Sequence, residues 1–250
     1  MSAPTQTAIG RFTWHDLNTT DLEASKRFYT ELLGWEVESW KPGEMDYPMI
    51  NANGTTHGGF GPAQGGAPSH WIGHVAVDDV DAAAQRAKDA GGSVVGEPMD
   101  IAEVGRFAII RDPQGAFTSA YQAVGGEAQL PEGVFLWDEL LTSDVESAKR
   151  FYGELFGWTA TDYDMGAGSD KYTIFQIGET SIAGCMKPRE GGTPSHWYPY
   201  LATDDVDATT AKAKELGAQV YLEPMSMETV GRFAVLGDPT GATFGLMKPE

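Results

Sequence analysis

Apolar and polar residues alternate along some stretches of this chain and recur at helical spacing along others. Between residues 12 and 17, Phe12 and Trp14 alternate with Thr13 and His15, a period typical of a strand. From residue 22 onward the apolar spacing changes to that of an amphipathic helix. The face predicted to be buried consists of Leu22, Ser25, Phe28, Tyr29, Leu32 and Leu33.

The ends of this helix also carry sequence signals. Thr20–Glu23 and Ser143–Glu146 match a capping box, in which a hydroxyl and a carboxylate satisfy the first free amides of a helix. Gly34 and Gly157 follow the last periodic residues, where a left-handed C-cap favours glycine. The spacing therefore predicts two equivalent helices that end at these glycines.

A second strand and helix follow within each half of the chain. Residues 71–77 are strand-like, and the Ala-rich stretch 78–90 predicts a helix, with 204–216 as its counterpart. Short strands should follow, because turn signals such as Asp112–Gly115 and Asp238–Gly241 interrupt the sequence.

The chain repeats itself at long range. Residues 14–35 return as residues 137–158, with 13 of 22 positions identical and an offset of 123. Two further segments return with an offset of 126, namely 65–71 as 191–197 and 97–116 as 223–242. Repetition at this scale indicates two tandem copies of one domain and not a short-period solenoid.

The repeat sets the predicted domain boundaries. The first domain should span residues 1–124, the linker 125–135 and the second domain 136–250. The change of offset requires a three-residue insertion between Trp158 and Gly191, which we place in the Gly-rich loop 165–170.

Composition narrows the class of protein. The 36 acidic residues against 17 basic ones give a net charge of −19, which argues against nucleic acid or an anionic membrane as a partner. A single cysteine, Cys185, excludes an internal disulfide framework and is expected to be a buried strand residue. With no apolar stretch near 18 residues and no signal-like N-terminus, we expect a cytoplasmic protein.

Three short sequence motifs resemble those of a known family. FYxELxGW follows the first strand, DDVDAA or DDVDAT opens the second helix, and GRFAxxxDPxGA lies near the end of each copy. Together they resemble the vicinal oxygen chelate superfamily, which includes glyoxalase I, extradiol dioxygenases and bleomycin-resistance proteins. The resemblance implies an α+β fold of tandem glyoxalase-like domains, each with two βαβββ modules that form a curved mixed sheet round a cup.

The resemblance also implies where a divalent metal ion would be bound, by His, Gln or Glu on the first and last strands of each module. The matching positions are Trp14 and Trp137, Ile72 and Tyr198, Ser119 and Gly245, and finally His57 with Ala183 as its counterpart. An indole offers no lone pair to a metal, and only Tyr198 and His57 offer weak ligands. We therefore predict no cofactor, with a divalent metal as the alternative.

Two other assignments of the metal-ligand positions stay open at this point. A register change of one residue would replace Ile72 and Tyr198 by Trp71 and Trp197. A relocated metal site in the first copy could draw on His15, His57, His70 and His74. We expect these histidines to be ordinary surface or loop residues, with His15 facing away from the cup. His70 and His196, in the recurring SHW word, are expected to anchor a loop.

Aromatic residues at the ligand positions predict a different kind of cup. Trp14, Trp137 and Tyr198 would form apolar walls, and Asp16 and Glu139 lie two residues after the tryptophans on the same strand face. The alternative is that the tryptophans fill a cup that binds nothing.

Arg106 and Arg232 recur near Asp112 and Asp238. We expect each arginine to link its strand to the following turn through an ion pair, or else to hold a ligand carboxylate at the cup rim.

These observations support three functions. The first is a metal-independent binder of a small organic metabolite or drug. Its predicted binding residues are Trp14, Asp16, Ile72, Arg106, Ser119, Trp137, Glu139, Tyr198 and Arg232. The second is a divalent-metal lyase or dioxygenase of glyoxalase type, and the third is an interaction protein. The sequence leaves the catalytic residues undetermined and allows a monomer or a homodimer.

Overall fold

A computed structural model describes residues 8–41, 46–125, 128, 130, 133–165, 170–188 and 192–250. The first copy holds eight strands and two helices in the order expected for two βαβββ modules. They are β1 (Phe12–Thr19), α1 (Leu22–Leu33), β2 (Glu36–Trp40), β3 (Tyr47–Ala52), β4 (Thr55–Pro62), β5 (His70–Ala76), α2 (Val80–Asp89), β6 (Ser93–Ile101), β7 (Gly105–Arg111) and β8 (Phe117–Ala123).

The second copy repeats this order. Its elements are β9 (Phe135–Leu141), α3 (Val145–Phe156), β10 (Thr159–Tyr163), β11 (Tyr172–Ile177), β12 (Thr180–Met186), β13 (His196–Ala202), α4 (Val206–Glu215), β14 (Gln219–Met227), β15 (Gly231–Gly237) and β16 (Thr243–Lys248). Within the described ranges, none of the helices is long and apolar enough to cross a membrane.

The strands form two eight-stranded mixed sheets with the same internal order. The first runs β2-β3-β4-β1-β5-β8-β7-β6, and the second runs β10-β11-β12-β9-β13-β16-β15-β14. Strands β1 and β4 pair in parallel, as do β5 and β8, whereas the hairpin neighbours are antiparallel. The predicted α+β fold with two βαβββ modules in each copy is confirmed.

The helix ends confirm one prediction and correct another. Gly34 and Gly157 adopt the left-handed conformation with φ of 72° and 74°, and their amides donate to the last turn of the helix. The N-cap, however, is Asp21 and not Thr20, because the Asp21 carboxylate accepts a hydrogen bond from the amide of Ala24. The backbone amide and the hydroxyl of Thr20 instead contact the hydroxyl of Ser69.

The chain divides into two compact units that do not follow the two copies. One unit comprises residues 1–14, 74–130 and 140–196, and the other comprises residues 15–73, 131–139 and 197–250. Within the second unit the core contains residues of both copies; for example, the ring of Phe28 on α1 meets the ring of Phe244 on β16 edge-on at 5.8 Å. The boundaries 124 and 136 stay predictions, and residues 166–169 of the predicted insertion lie outside the described part.

Two repeated sequence motifs are in contact inside each compact unit. The hydroxyl of Tyr152, from the FYxEL word, donates to Oδ2 of Asp112 in the DPxGA word at 3.0 Å. Oδ1 of Asp112 accepts the amides of Gln114 and Ala116, which fixes the turn. The same pairing joins Tyr29 to Asp238 at 3.3 Å. In each unit these hydrogen bonds therefore join the helix that carries the FYxEL motif to the turn of the DPxGA motif.

Candidate functional site

Two adjacent strands of the second copy bring polar groups and aromatic rings onto one face. Side chains alternate along a strand, so Trp137 and Glu139 on β9 share a face, as do Tyr198 and Tyr200 on β13. Trp137 is half-buried, whereas the other three side chains are buried. Tyr198 stands where the resemblance implies a metal ligand.

Hydrogen bonds connect the buried members of this group. The hydroxyl of Tyr198 donates to Oε1 of Glu139 at 3.2 Å, and the hydroxyls of Tyr198 and Tyr200 lie 3.4 Å apart. Glu139 is only 5% exposed, so its carboxylate lies in an environment where each hydrogen bond is stronger than in water. We call Trp137, Glu139, Tyr198 and Tyr200 the Glu139 cluster.

The ring of Tyr200 occupies the space beside Gly245, the other implied ligand position on this face. Tyr200 and Gly245 are paired across the parallel strands β13 and β16. A Cβ on Gly245 would lie 2.1 Å from Cδ1 of Tyr200, so no longer side chain fits at 245 while this ring stays in place. Sequence reasoning missed Tyr200, although its position two residues after Tyr198 places both rings on one face.

Burial fixes the protonation state of the central tyrosine. The pKa of Tyr198 is raised well above its usual value, first by burial and then by the neighbouring charge of Glu139. Tyr198 therefore stays a neutral donor throughout the physiological range. A buried carboxylate beside a neutral phenol can accept a proton or a hydrogen bond, while the phenol can donate one to a ligand oxygen.

The first copy builds a simpler arrangement from Asp16. The carboxylate of Asp16 on β1 accepts a hydrogen bond from the hydroxyl of Tyr47 on β3. This hydroxyl lies above Gly59, where a Cβ would approach it to 2.1 Å. Tyr47 was not predicted, because its strand carries no family motif.

The remaining predicted binding residues of the first copy have different surroundings. Ile72 is buried, and Ser119 is fully buried on β8. Trp14 is half-buried, and in the division into compact units it belongs with Ser119, whereas Asp16 and Ile72 belong to the other unit. The alternative register is excluded for Trp71, since its ring packs 5.6 Å from Tyr29 within a hydrophobic core.

The side chains at the implied ligand positions do not fit the family's metal ion. On the face formed by β9 and β13, Trp137 offers no lone pair, Tyr198 is engaged with Glu139, and Gly245 offers no side chain. In the described part of the chain, no three His, Cys, Asp or Glu residues gather into a group that could hold an ion.

His57, the weak candidate ligand, is buried on β4, and its Nε2 lies 3.1 Å from the carbonyl oxygen of Ala52. Burial lowers the pKa of His57, and Nδ1 has no hydrogen-bond partner. The strand pairing also corrects its counterpart in the second copy. Ala52 pairs with Thr55 as Ile177 pairs with Thr180, so the equivalent of His57 is Ile182 and not Ala183.

The expectation that these are surface or loop histidines is wrong for His15, His57 and His74, which are all buried. His15 points away from the face of Trp14 as predicted, but that side of β1 is also packed. Its Nε2 lies 2.9 Å from Oδ1 of Asp138, and its ring stacks on Phe135 with centroids 4.0 Å apart.

The histidines of the two SHW motifs anchor loops as expected. Nδ1 of His70 lies 2.8 Å from the carbonyl oxygen of Pro68, and Nδ1 of His196 lies 2.9 Å from that of Pro194. Cys185 is fully buried, as predicted.

The predicted arginine contacts are wrong. Arg106 does not bind Asp112; its guanidinium pairs with Asp81 at 2.9 Å and Asp100 at 2.6 Å. Asp112 is buried and already accepts bonds from its own turn, whereas Asp81 lies exposed in the first turn of α2. Arg232 pairs in the same way with Asp207. Both arginines therefore link a strand to a helix start at the surface.

Comparison with known proteins gives a consistent family match. The sequence profile of the Glyoxalase/Bleomycin resistance protein/Dioxygenase superfamily matches residues 8–117 and again residues 135–246. The chain is 40% identical over 246 residues to a Mycobacterium tuberculosis protein named "Putative glyoxylase CFP32", covering 94% of each chain. It is 33% identical to the anthracycline biosynthesis protein DnrV of Streptomyces peucetius, covering 98% of this chain and 95% of that protein.

Solved structures share the fold at low sequence identity. The Mn(II)-bound glyoxalase from Novosphingobium aromaticivorans matches with a TM-score of 0.66 and 18% identity, over 96% of this chain and 82% of that one. The 2,3-dioxygenase LapB from Pseudomonas sp. KL28 matches with a TM-score of 0.66 and 13% identity, over 98% and 94%. At this identity the likeness concerns the fold alone.

Proposed function

Because the chain belongs to the glyoxalase/bleomycin resistance protein/dioxygenase superfamily, we propose that it is a metal-independent member that binds a small organic molecule at the Glu139 cluster. The observation that carries this proposal is the hydrogen bond from Tyr198 to Glu139. It joins a buried donor, at the ligand position 198 that the resemblance implies, to a buried acceptor on the neighbouring strand. Fold alone does not decide function, and it is these side chains that support binding.

The chemistry of the cluster favours a flat ligand with neighbouring oxygen atoms. Trp137 is half-buried and offers aromatic surface on which a planar ring system can stack. Tyr198 can donate to a carbonyl oxygen, and Glu139 can accept from a hydroxyl group. DnrV is named for anthracycline biosynthesis, and anthracyclines carry fused rings with adjacent carbonyl and hydroxyl groups. We therefore propose a hydroxylated aromatic ketone or quinone as the ligand class.

A fluorescence titration with 1,2-dihydroxyanthraquinone tests the proposal. We expect saturable quenching of tryptophan emission with one equivalent bound at the Glu139 cluster. Tyr198→Phe should weaken binding about tenfold, the factor that corresponds to a hydrogen bond worth about 1.4 kcal/mol. Trp137→Phe should remove most of the quenching signal.

The first copy supplies matched controls for this titration. Tyr47→Phe removes the tyrosine that binds the other carboxylate, Asp16, and should leave the measured affinity unchanged. Trp14→Phe should leave the quenching in place. An equal loss of affinity in Tyr47→Phe and Tyr198→Phe, with unchanged circular dichroism, would contradict the assignment of the binding site to the second copy. Absence of saturable binding would favour the interaction-protein alternative.

A second candidate is a divalent-metal lyase or dioxygenase of glyoxalase type. The observation in its favour is the 40% identity to the protein named as a glyoxylase. Conversion of the hemithioacetal of methylglyoxal and glutathione by metal-loaded protein, lost on chelation, would establish that candidate. Oligomeric state and cellular compartment stay predictions.

A further inference from the structure

The ring of Tyr200 is closely surrounded on the face of the second copy where the resemblance implies a metal ion. It lies 5.5 Å from the ring of Tyr198 and meets the ring of Phe233 nearly edge-on at 6.2 Å. The hydroxyl of Tyr200 also lies 3.4 Å from that of Tyr198, and the residue is only 4% exposed. Because a buried ring among such neighbours is closely packed, these contacts hold it in one place.

This place adjoins the backbone of Gly245, across the parallel pair of strands β13 and β16. A Cβ on Gly245 would have Cδ1, Cε1 and Cγ of Tyr200 as its three nearest neighbours, all within 2.6 Å. A fixed ring cannot give way as the tip of a flexible side chain can. Gly245 is not among the glycines with a positive φ, so its backbone conformation does not by itself require glycine. The ring of Tyr200 therefore requires glycine at position 245.

The first copy has a different combination at the equivalent positions. His74 and Ser119 pair across β5 and β8, as the two residues of the second copy do across β13 and β16. The ring of His74 lies 6.1 Å from that of Phe107, so a smaller ring occupies the position equivalent to Tyr200. Beside this imidazole the neighbouring strand carries a residue with a Cβ. Ring size on one strand and side-chain size on the next therefore change together between the copies.

We propose that Tyr200 is the residue that excludes a divalent metal ion from the second copy. Its ring fills the space of the metal-ligating side chain that the resemblance implies at position 245, so no carboxylate or imidazole can project there. Trp137 offers no lone pair and Tyr198 is engaged with Glu139, which leaves fewer than the three protein ligands of a catalytic site. The inference rests on the metal-independent part of the proposed function and adds a physical cause to it.

The test supplies metal ligands to the second copy with and without Tyr200. Trp137→His, Tyr198→His and Gly245→Glu together give two imidazoles and a carboxylate, a ligand set that binds divalent metal ions. We call this protein the three-donor variant. It and its Tyr200→Ala derivative are loaded with Ni²⁺ or Zn²⁺ and desalted, and metal content is measured by elemental mass spectrometry. We expect about one retained ion per chain only when Tyr200 is replaced.

A pair of smaller changes tests the same contact without new ligands. Gly245→Ala should lower the urea midpoint of unfolding in the wild-type background, because its Cβ meets the ring of Tyr200. In a Tyr200→Ala background the same change should leave the midpoint where it is. Ser119→Ala, at the equivalent position of the first copy, is the matched control and should shift the midpoint equally in both backgrounds.

The outcomes separate this inference from the proposed function. If the three-donor variant retains an ion with Tyr200 present, or its Tyr200→Ala derivative folds and retains none, the inference is overturned and the proposed function stands. If circular dichroism shows that either variant does not fold, the Gly245→Ala pair decides, and an equal loss in both backgrounds overturns the inference. If the wild-type protein itself retains about one ion per chain, the proposed function fails and the inference fails with it.

Discussion

At the residue scale, His15 and Asp138 occupy equivalent positions of the two copies and bind each other at 2.9 Å. Two aspartates at this buried point would place two carboxylates together, and like charges repel strongly there. Divergence after duplication gives a complementary donor and acceptor instead. The His15 ring of this pair also stacks on Phe135.

Removing one member of this pair should be costlier than removing both. His15→Leu or Asp138→Leu leaves a buried polar partner, so we expect each to lower the free energy of unfolding by about 3 kcal/mol. The double substitution His15→Leu/Asp138→Leu should cost less than the sum. Urea denaturation of the four proteins measures this. Strictly additive losses would show that the contact contributes nothing.

Buried tyrosines give the stability of the protein a defined dependence on alkaline pH. Burial raises the pKa of both Tyr29 and Tyr198 well above its usual value of 10, with the charges of Asp238 and Glu139 adding to the shift. Their contribution to stability is therefore complete below pH 10 and is lost as the pH rises through the folded-state pKa.

Absorbance at 295 nm during an alkaline titration should show this loss. Tyr29 and Tyr198 should ionise only together with the loss of circular dichroism. In Tyr198→Phe one of these late ionisations should disappear. Ionisation of all tyrosines near pH 10 with the fold intact would be the opposite result.

At the element scale, helix α3 shows how far a motif predicts structure. Apolar spacing and the terminal glycine locate the helix correctly, because both reflect local backbone requirements. The capping box placed the N-cap one residue early, at Ser143. Both Ser143 and Asp144 can cap, but the backbone amide of Ser143 is bound by the hydroxyl of Ser195, so Asp144 caps the helix.

This assignment predicts unequal effects of two neighbouring substitutions. Asp144→Ala should lower the free energy of unfolding by about 1 kcal/mol, because the amide of Ser147 loses its acceptor. Ser143→Ala should cost clearly less. Chemical denaturation compares the two variants. A larger loss of unfolding free energy in Ser143→Ala would show that Ser143, the capping-box position, is the N-cap.

At the scale of the whole molecule, the sequence repeat predicts the architecture. It does not predict which side chains of distant elements are in contact. Trp137, Glu139 and Tyr198 could be predicted, because family spacing and strand alternation assign them to one face. Tyr200 beside Gly245 could not, since that contact depends on the register of β13 and β16. The partners of Arg106 were wrong for the same reason, because Asp81 comes from a helix 25 positions earlier.

The two copies have also diverged on the faces where their relatives bind ligands. Ile72, His74 and Ser119 of the first copy correspond to Tyr198, Tyr200 and Gly245 of the second. One copy thus concentrates phenolic hydroxyls round a carboxylate, and the other does not. This difference underlies the proposal that the second copy carries the binding site.

The most direct test of metal-independent binding is metal content, measured by elemental mass spectrometry on tag-free protein. The protein is purified without chelator, loaded with Ni²⁺, Zn²⁺, Mn²⁺ or Fe²⁺, desalted and then titrated with 1,2-dihydroxyanthraquinone with and without EDTA. Our account predicts well below one retained ion per domain and the same affinity in both titrations. About one tightly held ion per domain, with binding lost in EDTA, would contradict it.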